Sequence, residues 1–150
     1  MDAQKSSRSG VLDGIELGIG TWAWGDRLVW GYGNQYSATE IEESFHAAID
    51  SGIRFFDTAE VYGQGKSEKF IGQLLPSVNE QVVVATKIMP FPWRLSKDAL
   101  RKTLAASLKR LGLKKVDLYQ MHFPMPPVSV ESWMQQMADV YEEGLISAVG

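Results

Sequence analysis

From residue 15 onward the chain alternates between short apolar runs and longer amphipathic stretches. Ile15 to Gly20, Ile53 to Phe56, Gln81 to Ile88 and Val116 to Met121 have the length and composition of buried strands, and a fifth run starts at Leu145. The stretches between them carry helix signals. Ser37 with Glu40 three residues on is a capping-box pattern, and Ile41, Phe45 and Ile49 then recur every four residues. Ser67 is expected to cap a short helix bearing Phe70, Ile71 and Leu74, which Pro76 stops. Ser96 is expected to cap a helix striped by Leu100, Leu104, Leu108 and Leu111 and ended by Gly112. Ser129 opens the fourth helix, with Met134, Met137 and Tyr141 expected to face inward and Gly144 to end it.

Strands that are apolar on both faces and separated by helices belong to a parallel sheet covered on both sides, because a parallel connection needs a crossover to return the chain. A doubly wound open sheet and a closed barrel both satisfy this pattern, and periodicity does not choose between them. No Pro-rich linker or change in composition marks an internal boundary. The sequence stops a few residues into its fifth strand and reads as truncated, with a sheet edge left uncovered.

Composition narrows the classes. At 150 residues and 45% hydrophobic content the chain can build one ordinary core. A net charge of -3 gives no global attraction to nucleic acid or to an anionic membrane. Eight Lys and Arg residues do lie between Arg94 and Lys115. Since Leu100, Leu104, Leu108 and Leu111 share one helical face, Arg101, Lys102, Lys109 and Arg110 are expected mainly on the solvent side. The absence of cysteine excludes disulfides and thiol chemistry. Met1 to Gly10 lacks the apolar core of a secretion signal, and no run has the roughly 18 apolar residues of a membrane span. The expectation is a cytoplasmic protein with no membrane or nucleic-acid partner, whose first 14 residues are a poorly ordered lead-in.

Gly18, Gly20 and Ala23 match the dinucleotide-binding pattern G-x-G-x-x-A after a strand. That pattern works only where a helix begins at the glycines and turns its amides toward a pyrophosphate. Here the glycines lead into Trp22, Trp24, Gly25, Trp30, Gly31, Tyr32, Gly33 and Tyr36, which have no helical period. This aromatic segment reads as a pocket wall or as a plug over a barrel rim, with Trp22 the better pocket residue because it directly follows the strand.

Four polar residues fall at or just after strand ends: Asp57, Tyr62, Lys87 and His122. In a parallel α/β barrel those ends open on one face, where the chemistry sits. Asp57 leaves an apolar strand and Lys87 is embedded in one; each charge alone is costly there, and together they neutralise one another. For that pair in isolation a buried salt bridge explains the residues equally well. A loop tyrosine is usually surface packing, and a histidine closing an apolar run is usually a satisfied core residue. The combination is more specific. An ordinary phenol holds its proton until near pH 10, and a neighbouring ammonium makes the proton easier to give up. A neutral imidazole can hold a substrate oxygen. The set suits protonation of a carbonyl oxygen, with an outside donor supplying hydride, since no side chain can. A Schiff-base role for Lys87 needs an uncharged amine, which Asp57 opposes.

The run Gly52-Ile53-Arg54-Phe55-Phe56-Asp57-Thr58-Ala59-Glu60-Val61-Tyr62-Gly63, followed by Gly65-Lys66-Ser67-Glu68, closely resembles the signature of the aldo-keto reductase family. Leu17 to Trp22 resembles that family's first strand, Ala85-Thr86-Lys87 its third, Val116 to His122 its fourth, and Glu143 to Gly150 the approach to its fifth. The resemblance implies the N-terminal half of a single (β/α)₈ TIM barrel domain, cut after four βα units and the start of the fifth strand. It implies NADPH-dependent reduction of an aldehyde or ketone to an alcohol. Tyr62 would then be the proton donor, Lys87 its activator, Asp57 the partner of Lys87, and His122 the residue orienting the carbonyl. Thr21, Trp22 and Asp57 would border the nicotinamide, and Trp22, Trp24 and His122 the substrate, with most of the NADPH site beyond residue 150 and no metal. The alternative within the same resemblance is a catalytically weak barrel acting as a redox-sensing or channel-associated subunit.

Overall fold

In the computed structural model residues 10–150 are described. Of the N-terminal lead-in, residues 1–9 lie outside the described residues, whereas residues 10–14 form a turn in which Asp13 Oδ2 accepts from the Gly10 amide at 2.7 Å.

Five strands form one parallel sheet in the order β1 (Gly18–Gly20), β2 (Phe55–Asp57), β3 (Val83–Ile88), β4 (Val116–Met121) and β5 (Ile146–Val149). Every neighbour in the sheet is the next strand in the chain. A doubly wound sheet would reverse that order at its centre, so the array is a segment of a (β/α)₈ barrel. Helices α1 (Ala38–Asp50), α2 (Lys66–Leu74), α3 (Ala99–Leu111) and α4 (Val130–Glu142) make the crossovers.

Register divides the strand residues between two faces. Ile19 pairs with Phe56, Phe56 with Val84, and Thr86 with Tyr119, which places these side chains together in the helix layer. There Phe56, Val84, Ile88 and Tyr119 join Phe45 of α1, Ile71 of α2, Leu104 of α3 and Trp133 of α4 in the core. The opposite face carries Phe55, Asp57, Ala85 and Lys87, the barrel's inward side. Gly18 shares that side: a Cβ added to it would come within 2.3 Å of the Phe55 ring, so the aromatic fills the space beside the first strand.

The helix starts follow the sequence pattern in two cases and depart from it in two. Ser37 and Glu40 form the capping box, and Ser129 accepts from the Ser132 amide. Ser67, in contrast, is not a cap. Gly65 enters α2 in the left-handed region with φ 83°, and Ser67 is a helical residue turned inward. Asp98 occupies the N-cap position of α3, and Ser96 contributes only its carbonyl, which accepts from Ala99 N at 3.0 Å. In α4 the buried face is Trp133, Met137 and Val140, so Met137 faces inward as expected, while its two neighbours on that face precede the expected Met134 and Tyr141 by one residue. Met134 is only partly buried and Tyr141 is 47% exposed.

Arg110 is the exception among the basic residues of α3. Its Nε reaches Glu68 Oε2 at 2.5 Å, and Thr86 Oγ1 donates to Glu68 Oε1 at 2.6 Å. Glu68 is fully buried, and this partner set keeps its charge compensated.

Candidate active site

The strand ends place the polar residues on one face. Asp57 closes β2, Lys87 is the last but one residue of β3, and His122 immediately follows β4. Ladder bonds continue past the strands: Thr21 N donates to Asp57 O at 2.9 Å and His122 N to Ile88 O at 2.9 Å. Backbone pairing therefore sets the height of each residue on the barrel rim.

Tyr62 reaches the same point from a tight turn. Residues Tyr62–Gly65 form a tight turn in which Gly63 and Gln64 have φ 54° and 58°, in the left-handed region. A Cβ on Gly63 would lie 2.8 Å from the backbone of Gly25, so only glycine permits this approach between the turn and the segment after β1. The turn brings the phenol back over the sheet.

The Lys87 ammonium is the centre of the cluster. It donates to Asp57 Oδ2 at 2.6 Å and to the Thr58 carbonyl at 2.8 Å, and it approaches the Tyr62 hydroxyl at 3.5 Å. Tyr62 and His122 meet edge to face with ring centroids 5.5 Å apart. The His122 Nδ1 atom is buried without a partner. Burial, reinforced by the Lys87 ammonium, lowers the proton affinity of His122 against the weaker opposing effect of Asp57 and Glu60. The imidazole is consequently neutral at neutral pH. All four residues singled out in the sequence are thus brought together, with a hydroxyl donor, an ammonium beside it and an uncharged imidazole facing one space.

The flanking aromatics divide. Trp22 is 47% exposed and stacks on Tyr62 with centroids 6.2 Å apart, and Trp30 meets its edge at 5.7 Å. Trp24, expected in the substrate pocket, is instead a core residue only 6% exposed, packed against Phe45 and Phe56. The chain turns between the two rings, Trp24 N donating to the Thr21 carbonyl at 3.0 Å, and this sends Trp24 to the helix layer. Thr21, expected beside the nicotinamide, is fully buried, and its hydroxyl contacts Ser67 at 2.7 Å and the Asp57 carbonyl at 3.1 Å.

Several contributors were not singled out from the sequence. Glu60 bonds the Arg94 guanidinium, with Nη2 to Oε2 at 2.9 Å, and accepts from Met89 N at 2.8 Å. It fastens the segment after β3 to the segment carrying Tyr62. Phe123 stacks on His122 with centroids 4.9 Å apart. Glu60 and Phe123 stand within two residues of Tyr62 and His122, which is the one local signal that could have found them.

Comparison with known proteins agrees with the fold. Residues 16–150 match the pattern of the Aldo/keto reductase family. A chloroplastic pyridoxal reductase of Arabidopsis thaliana is 34% identical over 95% of this chain and 42% of its own length. The aldo-keto reductase YhdN of Bacillus subtilis is 36% identical over 93% of this chain and 43% of its own. Among solved structures, an aldo-keto reductase from Klebsiella pneumoniae in complex with NADPH superposes with a TM-score of 0.74 at 28% identity, covering 89% of this chain and 43% of that one. This chain spans less than half the length of these relatives. Among the described residues no helix is long and apolar enough to cross a membrane, and no cluster of metal-ligating side chains occurs.

Proposed function

Because this chain belongs to the aldo/keto reductase family, we propose that it carries the proton-donating half of an NADPH-dependent carbonyl reductase that converts an aldehyde or ketone to an alcohol. The observation that carries this reading is the convergence of Tyr62, Lys87, Asp57 and His122, with Lys87 bonded to Asp57 and reaching the Tyr62 oxygen. NADPH, when bound, supplies the hydride that adds to the carbonyl carbon. Trp22 offers an exposed flat ring beside Tyr62, and Asp57 keeps a second carboxylate oxygen beside the one held by Lys87. Both suit a nicotinamide ring with its amide.

Tyr62 donates its proton to the carbonyl oxygen as negative charge develops there, and the Lys87 ammonium stabilises the phenolate left behind. Asp57 and the Thr58 carbonyl hold the ammonium in place. His122 is uncharged, so it orients the carbonyl by a hydrogen bond without competing as an acid.

The test is NADPH absorbance with a small aldehyde and the full-length protein. Tyr62→Phe is expected to lower kcat by about 10²–10⁴-fold, the usual worth of a positioned general acid, while leaving cofactor binding in place. Retention of wild-type turnover by that variant would remove Tyr62 from its role.

A further inference from the structure

Three hydroxyls lie directly behind the site, on three different elements. Thr21 follows β1, Thr58 follows β2, Ser67 is in α2, and all are fully buried. Thr58 Oγ1 donates to Ser67 Oγ at 2.8 Å, and Ser67 Oγ donates to the Thr21 carbonyl at 2.9 Å. Thr21 Oγ1 lies 2.7 Å from Ser67 Oγ and 3.1 Å from the Asp57 carbonyl. Three protons therefore serve four short contacts, and Ser67 takes part in three of them. Burying a hydroxyl is unfavourable unless it is bonded, and Ala or Val would fill the same space at lower cost. Packing alone does not account for three of them.

They tie down the Asp57–Thr58 segment at two points: Thr21 Oγ1 reaches the Asp57 carbonyl, and the Thr58 side chain is anchored on Ser67. These two residues provide both fixed acceptors of Lys87, the Asp57 side-chain carboxylate at 2.6 Å and the Thr58 backbone carbonyl at 2.8 Å. An ammonium has three N–H directions. With two pinned, the third is aimed at Tyr62, where the 3.5 Å separation is the longest of the set and the most sensitive to rotation.

We propose that Ser67 and Thr58, with Thr21, are positioning residues for proton transfer: they fix the Asp57–Thr58 segment whose acceptors direct the third N–H of Lys87 at the Tyr62 oxygen. The assignment rests on the carbonyl-reductase reading above. Thr58→Val removes one hydroxyl at constant shape, and Thr58→Ser keeps it. In the full-length protein Thr58→Val is expected to lower kcat about tenfold, the scale of misplacing a supporting group by a fraction of an ångström. KM for NADPH should stay as in the wild type, the solvent deuterium isotope effect on kcat should rise, and Thr58→Ser should restore both. A Thr58→Val protein that folds, with kcat and isotope effect unchanged, would overturn the assignment. Should that variant not fold, Ser67→Ala carries the same expectations.

Tyr62→Phe, measured in parallel, separates the two levels. If the wild type shows no Tyr62-dependent turnover, the carbonyl-reductase reading fails. The placement of Lys87 is then decided by a crystal structure of the Thr58 or Ser67 variant. Movement of Nζ away from the Tyr62 oxygen supports the positioning role, and an unchanged Nζ with the hydroxyl gone overturns it.

Discussion

At the scale of single residues, the site is built from groups that are out of place in their surroundings. A carboxylate and an ammonium in adjacent strands pair at 2.6 Å because neither is otherwise tolerable there. His122 has the opposite solution, shedding its charge. Its folded-state pKa lies below the ordinary 6.5, so as the pH falls past that value the unfolded chain takes up the proton first. The stability associated with neutral His122 is complete above that window and is lost as acid is added. Urea midpoints followed downward from neutral pH are expected to fall more steeply for the wild type than for His122→Gln; parallel curves would mean the imidazole titrates alike in both states.

The four site residues were legible in the sequence because each interrupts or closes an apolar run, a local signal. The ion pairs around them were not. Glu60 and Arg94 lie 34 residues apart, and Glu68 and Arg110 lie 42 apart, so nothing in either neighbourhood names its partner. The position of Trp24 is hidden from the sequence for a related reason. A loop without a period gives no face, and only the fold shows that it turns toward Phe45 while Trp22 turns toward Tyr62.

At the scale of elements, α2 and α3 are the closest-fitted pair. Gly72 of α2 lies where a Cβ would meet the carbonyl oxygen of Arg110 at 2.6 Å and the Leu111 backbone at 2.8 Å. In an open helix, replacing glycine with alanine stabilises by about 1 kcal/mol. Here the contact is backbone, which cannot swing aside, so Gly72→Ala is expected to destabilise by about 1–3 kcal/mol through overpacking. Chemical denaturation of the full-length protein would check the sign, and a gain in stability would show that the two helices can separate freely. Since α2 also carries Ser67 and Glu68, a shift of this helix would be felt at the strand ends. Strand positions were readable to within a few residues. Helix phase was less so, because Met134 and Trp133 are neighbours and both apolar, and the sequence alone does not say which faces the sheet.

At the scale of the whole molecule, the sheet is well covered on one side only. The helix layer seals Phe56, Val84 and Ile88, whereas the inward row of Phe55, Asp57 and Lys87 is only partly buried. The margins are open as well, with Leu17 beside β1 63% exposed and Val149 of β5 42% exposed. Produced by itself, the 150-residue segment is expected to unfold over a broad thermal transition and to associate through those margins. Calorimetry and light scattering would test this. A sharp transition of a monomer would mean that the helix-side core suffices alone.

The contact between Gly63 and Gly25 also bears on motion. Backbone meets backbone there, and Trp22 stacks on Tyr62 close by, so the segment after β1 and the turn bearing the phenol are packed directly on one another. Opening that segment would cost both the Trp22–Tyr62 stack and the close backbone approach, so access to the phenol is tied to how tightly the segment after β1 is seated.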